Sequence, residues 1–178
     1  MNLSILLCGF GGQGILFAGK VIATAGLLEE KNVSWLPSYG PEMRGGTANC
    51  SVIVSDEDVG SPIVAVPDVL MAMNLPSLYK YENDVASGGL VVYDSTIIGR
   101  SVERSDVRAY PVPATRLATE MGAPTLANMV LLGKLISVCD ELSYENIENA
   151  LRSVVSAKHA DLLEINLKAI RLGRDYEA

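Results

Sequence analysis

Leu3-Ser-Ile-Leu-Leu-Cys-Gly-Phe-Gly-Gly-Gln-Gly14 passes directly from an apolar run into a cluster of glycines. The run reads as a buried strand and the glycines as the turn that ends it. From Ile15 to about Glu30 the apolar positions Ile15, Ala18, Ile22, Ala25 and Leu28 recur at helical spacing. Lys31-Asn32 mark a break, and Val33 to Leu36 is a second short strand. A strand, glycine loop, helix and strand in this order predict parallel pairing of the two strands, and hence an α/β sheet.

Working outward, residues 37–46 (Pro-Ser-Tyr-Gly-Pro-Glu-Met-Arg-Gly-Gly) have no periodicity and are expected to be loop. Thr47 to Ser55 alternates, with Ala48, Cys50, Val52 and Val54 on one face, and reads as a strand. Val66 to Met73 and Leu90 to Tyr93 are further strands, the latter ending at Asp94. Asn74 can cap a helix with Pro76 in its first turn, running to about Ala86. Val107 to Val112 is a last strand, compromised by Pro111 and Pro113. The remainder is expected to be helical: Pro124 to Val138, then Ser143 capping a helix to about Val155, then Asp161 to Leu172. With no internal repeat, low-complexity tract or linker, residues 1–178 are expected to form a single α/β domain. Its sheet would be largely parallel, flanked by helices, with a Rossmann-like beginning.

Composition narrows the function classes. Of 178 residues 49% are hydrophobic and 20% charged, which suits a globular chain and not a disordered one. A formal charge of −7 argues against nucleic-acid binding, which needs a basic face to displace phosphate counterions. No charged segment leads into an apolar one at the start, and no apolar stretch reaches the roughly 18 residues of a membrane span. A cytoplasmic protein without membrane contact is the expectation. Cys8, Cys50 and Cys139 are far apart and each sits among apolar residues, so they read as small buried hydrophobes. Neither an iron–sulfur nor a zinc site is expected without closely spaced thiolates. His159 is the one histidine and lies in a polar stretch, so no metal site is expected around it.

Gly9, Gly11 and Gly14 match G-x-G-x-x-G after a strand and before a helix, where backbone N–H groups and the helix dipole favour an anion. A dinucleotide fingerprint also needs a carboxylate about 20 residues on, at the end of the second strand, to hold the ribose. That strand ends Trp35-Leu36-Pro37-Ser38, so an NAD(P) site is disfavoured. A tight turn, some other anion, or a partner surface remain.

Ser38-Tyr-Gly-Pro-Glu-Met-Arg-Gly-Gly46 follows the second strand at its carboxyl end, as the glycine loop follows the first. Ligands gather beyond the carboxyl ends of parallel strands, so the two segments are expected to lie near each other. Arg44 beside two glycines could clamp a phosphate or carboxylate; alternatively Glu42 and Arg44 form a solvated pair. For Asn74, Asn128 and Asp94-Ser95 the reading is capping or loop hydrogen bonding. No nucleophile–base pairing, phosphate loop, H-E-x-x-H or G-x-S-x-G motif is present.

Gly9-Phe-Gly-Gly-Gln-Gly14 followed by Ser38-Tyr-Gly-Pro-Glu-Met-Arg-Gly-Gly-Thr-Ala-Asn49 resembles the γ subunit or γ domain of 2-oxoacid:ferredoxin oxidoreductases. Ala72-Met-Asn-Leu-Pro76, Leu90-Val-Val-Tyr-Asp94 and Asn128-Met-Val-Leu-Leu-Gly133 extend the resemblance over most of the chain. It implies a complex that converts a 2-oxo acid and coenzyme A to acyl-CoA, CO2 and reduced ferredoxin. The wording of the second segment looks most like 2-oxoglutarate enzymes, with pyruvate, branched-chain and indolepyruvate types as alternatives. Thiamine diphosphate, Mg2+ and 4Fe–4S clusters would be held by α, β and possibly δ subunits, and this chain would bind no redox cofactor and be inactive alone. Carried over residue by residue, Gly11, Gly12, Gln13 and Gly14 would form one edge loop. Ser38, Tyr39, Glu42, Arg44, Gly45 and Gly46 would form the other, both facing coenzyme A or a companion subunit. An independent nucleotide-binding protein is the competing reading. Self-association of the isolated chain is expected, since apolar surface meant for partners would be uncovered.

Overall fold

The computed structural model describes residues 1–39, 47–155 and 160–177. In chain order the elements are β1 (Asn2–Phe10), α1 (Ile15–Leu28), β2 (Asn32–Tyr39), β3 (Thr47–Ser55), β4 (Val69–Ala72), α2 (Leu75–Tyr81), β5 (Leu90–Asp94), β6 (Arg108–Val112), α3 (Ala114–Glu120), α4 (Ala127–Val138), α5 (Tyr144–Val154) and α6 (Ala160–Arg174). Single 3-10 turns at Glu82–Asp84 and Pro124–Leu126 precede β5 and α4.

The strands form one sheet in the order β2-β3-β1-β4-β5-β6. β1, β4, β5 and β6 pair in parallel, whereas β3 is antiparallel to both β1 and β2. β2 therefore points the same way as β1, and only β3 runs against the rest. The sheet is largely parallel, as expected, but the anticipated pairing of β1 with β2 does not occur. β3 lies between them. The reason is visible in the two sequences. β3 buries Ala48, Cys50, Ser51, Val52, Val54 and Ser55 and so suits an interior position. β2 carries Pro37, which has no N–H to donate, and half-exposes Trp35 and Leu36, features tolerated at an edge. Residues 37–39 also prove to be strand and not loop.

The two faces are covered unequally. Leu3, Ile5 and Leu7 of β1, Cys50, Val52 and Val54 of β3, and Val69 and Met71 of β4 share one core with α1, α3, α4, α5 and α6. Leu6, Cys8, Leu70, Ala72, Val91 and Tyr93 face the other way, against Leu78 of α2, Val85 and Ile98. Alternation along β1 thus feeds two cores from one strand, which is why its sequence reads as continuously apolar. α2 ends at Tyr81, short of the expected Ala86. The chain after β5 is tied to that end by the Arg100–Glu82 ion pair at 2.7 Å and by Arg104, which donates to the Val85 carbonyl. α3 was not separately anticipated; it is short and buries only Ala114 and Ala118.

α4 and α6 cross antiparallel with their backbones nearly touching. A Cβ built on Gly133 would lie 2.0 Å from the Ile170 carbonyl oxygen, and one on Gly173 would lie 1.7 Å from that of Val130. Only glycine permits this approach. No helix among the described residues is long and apolar enough to cross a membrane.

Candidate functional site

Strand register sets the rim. Ser38, Asn49, Cys8, Ala72, Tyr93 and Pro111 are successive partners in one row across all the strands. The next row toward the carboxyl ends pairs Tyr39 with Ala48 and Ala48 with Gly9, and Thr47 lies opposite Phe10. The first glycine segment leaves the sheet at Phe10. The second departs after Tyr39 and returns at Thr47, so both spring from the same rim of neighbouring strands. Ser38 is exposed there. Glu42, Arg44, Gly45 and Gly46, and the whole stretch 40–46, lie outside the described residues. Asn74 follows β4, and Asp94 ends β5 with Ser95 after it, at this same rim.

The first segment has left-handed backbone at Gly12 (φ 97) and Gly14 (φ 76), so glycine is required there for conformation. Gly14 needs it for space too, since a Cβ would come within 2.3 Å of Asn128 Nδ2. Three side-chain amides hold the segment from behind. Gln13 Oε1 accepts from the Phe10 N–H (2.7 Å), and Gln13 Nε2 donates to the Met73 carbonyl (3.1 Å). Asn74 Nδ2 donates to Gln13 Oε1 (3.4 Å), while Asn74 Oδ1 caps α2 through the Ser77 N–H (2.8 Å). Asn128, only 3% exposed, donates from Nδ2 to the Gly14 carbonyl at 3.1 Å. Its buried Oδ1 has no partner among the described residues.

In front of the segment is an open cavity of about 340 Å3, bounded by Phe10, Gly11, Gly12, Leu16, Phe17 and Ala48. No described residue lies within 4 Å of a Cβ built on Gly12, so none of them crowds the outer side of the loop. Among the described residues the backbone N–H of Gly12 has no acceptor, whereas the position that the β1–β3 ladder would set opposite Gly11 lies outside them. An apolar trough beside the Gly12 N–H, just ahead of a helix N-terminus, suits an elongated ligand with an apolar arm and an anionic group. A second cleft, of about 230 Å3, lies at the opposite rim between Asn2, Asp68, Gly89, Arg108 and Glu141. It is remote from both glycine segments and sits at the amino ends of the strands, where parallel sheets seldom bind ligands.

The other flagged polar residues are engaged within the fold. Asp94, fully buried, accepts from the Thr96 N–H (3.0 Å) and from the Thr115 N–H and hydroxyl (3.1 and 2.5 Å). It thereby ties β5 to the start of α3. All three cysteines are free and buried. Burial holds the Cys8 thiol far above its usual pKa and pushes Cys50 up to about 12; burial and then the Glu141 carboxylate push Cys139 to about 12. None is poised as a nucleophile. Among the described residues no group of three or more His, Cys, Asp or Glu could hold a metal ion.

The walls Phe10, Leu16 and Phe17 were not anticipated as site residues; their sequence signal is the usual one for core positions. Asn128 was noticed only as a polar residue on an apolar helix, without its target.

Residues 4–176 match the family model for pyruvate ferredoxin/flavodoxin oxidoreductase. The chain belongs to this family. It is 42% identical over 98% of its length to ketoisovalerate oxidoreductase subunit VorA of Methanothermobacter marburgensis, but spans only 36% of that relative. It is 38% identical over 85% of its length to 2-oxoglutarate synthase subunit KorC of Methanocaldococcus jannaschii, covering 82% of it. Among solved structures, the γ subunit of keto/oxoacid ferredoxin oxidoreductase from Geobacter sulfurreducens superposes with a TM-score of 0.83 at 28% identity, over 97% of this chain and 96% of that one. The 2-oxoglutarate:ferredoxin oxidoreductase of Magnetococcus marinus, with 2-oxoglutarate, coenzyme A and succinyl-CoA bound, gives 0.88 at 28% identity; 97% of this chain matches 30% of that one. The family member thus matches both short subunits and a portion of much longer chains.

Proposed function

We propose that this chain, residues 1–178 as one γ-type domain, is the γ subunit of a cytoplasmic 2-oxoacid:ferredoxin oxidoreductase that makes acyl-CoA from a 2-oxo acid and coenzyme A. Its rim faces the coenzyme A site or a companion subunit. The observation that carries the reading is the apolar cavity beside the Gly12 N–H, which has no acceptor among the described residues, on the rim from which the Arg44 segment also leaves. The pantetheine arm of coenzyme A is elongated and largely uncharged, and its phosphates are anionic, which fits both parts of that surface. Support also comes from a similar structure that holds coenzyme A.

Companion α, β and possibly δ subunits would carry thiamine diphosphate, Mg2+ and 4Fe–4S clusters, which supply the carbon and electron chemistry. This chain's part is to bind, orient and exclude water. 2-Oxoglutarate is the preferred substrate, after KorC. A branched-chain 2-oxo acid is the second reading, favoured by the 42% identity to VorA. Relatives that match this chain over most of its length carry different substrate names, which supports the view that companion subunits read the substrate side chain.

The test is recovery of tagged chain from its native cell. It should bring down thiamine- and cluster-bearing subunits with coenzyme-A-dependent ferredoxin reduction, and Arg44→Ala should raise the KM for coenzyme A or weaken assembly. Turnover by the purified chain alone, or unchanged kinetics in an intact Arg44→Ala complex, would refute the reading.

A further inference from the structure

Gln13 sits within the loop assigned to the ligand, yet its side chain points away from the cavity. We propose that Gln13 is a positioning residue: its amide sets the shape of the glycine segment so that the Gly12 N–H faces the ligand, and it makes no ligand contact itself. The inference deepens the proposed function and rests on that reading of the rim.

The geometry is specific. Both ends of the Gln13 amide are used: Oε1 takes the Phe10 N–H at 2.7 Å, and Nε2 gives to the Met73 carbonyl at 3.1 Å. The Gln13 backbone N–H also returns to the Phe10 carbonyl at 3.2 Å, so residues 10 and 13 clasp each other twice. The side chain fills the notch between the ends of β1 and β4. A Cβ on Gly9 would lie 2.6 Å from Gln13 Oε1, so glycine at position 9 makes room for the amide. Met73 belongs to the strand-end backbone, its N–H bound to the Cys8 carbonyl at 2.9 Å. The loop is therefore fastened to the sheet and not merely to itself. Asn74 orients the amide, since only an oxygen at that position accepts from both Phe10 N–H and Asn74 Nδ2. Held so, Gly12 and Gly14 keep their positive φ values, and no described residue closes over the outer side at Gly12. A segment with glycines at positions 11, 12 and 14 has many alternative conformations, and the clasp removes them before the ligand arrives.

Gln13→Met keeps the length and loses both hydrogen bonds. Gln13→Glu keeps the acceptor but sets a carboxylate against the Met73 carbonyl. In the assembled complex each should raise the KM for coenzyme A about tenfold, equivalent to about 1.4 kcal/mol of binding. Turnover at saturating coenzyme A should stay within about twofold, because the reacting atoms are elsewhere. In the isolated chain, amide exchange at residues 11–14 should accelerate while α4 and α6 stay protected. Gly12→Ala, which disturbs the loop directly, is the reference. If it raises KM and the Gln13 variants do not, the positioning role is wrong and the rim reading stands. If Gly12→Ala is also silent, the rim reading fails and takes this inference with it. Loss of the chain's melting transition, or loss of companion subunits, in both Gln13 variants would make Gln13 a folding or assembly residue and overturn the proposal.

Discussion

Replacing Gly173 by alanine should destabilise the chain, although alanine is the better helix former. The added Cβ would stand 1.7 Å from the Val130 carbonyl oxygen, with the Val130 carbonyl carbon at 2.6 Å and Cα at 3.0 Å. All three obstacles are backbone, so no rotamer change relieves the clash, and α4 and α6 must separate. Forced overpacking typically costs about 1–3 kcal/mol, and the rigid obstacle puts this case at the upper end. Glycine to alanine returns at most about 1 kcal/mol, the value for a helix interior, since Gly173 is next to last in α6. The net loss is therefore about 2 kcal/mol, lowering Tm by about 4–8 °C for a chain of this size. Urea unfolding followed by far-ultraviolet circular dichroism measures it directly. Gly133→Ala, facing the Ile170 carbonyl at 2.0 Å, should behave alike. Gly26→Ala in α1 is the control, because its Cβ would meet only side-chain methyls of Val33 and Val54, nearest 2.9 Å, which can shift. If Gly173→Ala were as stable as the parent, the backbone contact between α4 and α6 would be disproved. The consequence reaches the rim, because α4 begins beside Asn128, the residue that holds Gly14.

Asp94→Ala would strand the Thr96 and Thr115 N–H groups and the Thr115 hydroxyl, and should cost about 3 kcal/mol in a urea titration. Asp106 is held down to about 2 by its hydrogen bonds from Arg104, opposed by partial desolvation, and Asp56 is held to about 2 by Lys31 and the amino terminus. A carboxylate depressed in the fold contributes stability above its unfolded pKa and loses it as pH falls through the folded one. The urea midpoint should drop between about pH 4 and 2, and less so in Asp106→Asn; an identical pH profile in that variant would remove the pair from the account. The three buried thiols should resist a thiol-labelling reagent at pH 8 in the native chain and react fully in urea; rapid native labelling of any one would contradict its burial.

Much of the architecture is readable in local pattern. β1 with its glycine turn, α1, the alternation of β3, and the Asn74 and Ser143 caps all appear where short-range rules put them, with Asn74 accepting from the Ser77 N–H and Ser143 from the Asn146 N–H. These features depend on residues a few positions apart, so the chain encodes them without reference to the fold. Strand order does not have that property. β3 intrudes between β1 and β2 because it can be buried on both faces and Pro37 cannot donate inside a sheet, a competition between segments that no single segment displays. Gly133 and Gly173 look in sequence like weak points in helices; only the crossing of α4 and α6 reveals that each makes room for the other's backbone. The rim divides in the same way. That residues 11–14 form a turn was written in the glycines, whereas the direction of the Gln13 amide, and the apolar wall of Phe10, Leu16 and Phe17, were decided by which atoms the sheet brought within hydrogen-bond and van der Waals reach.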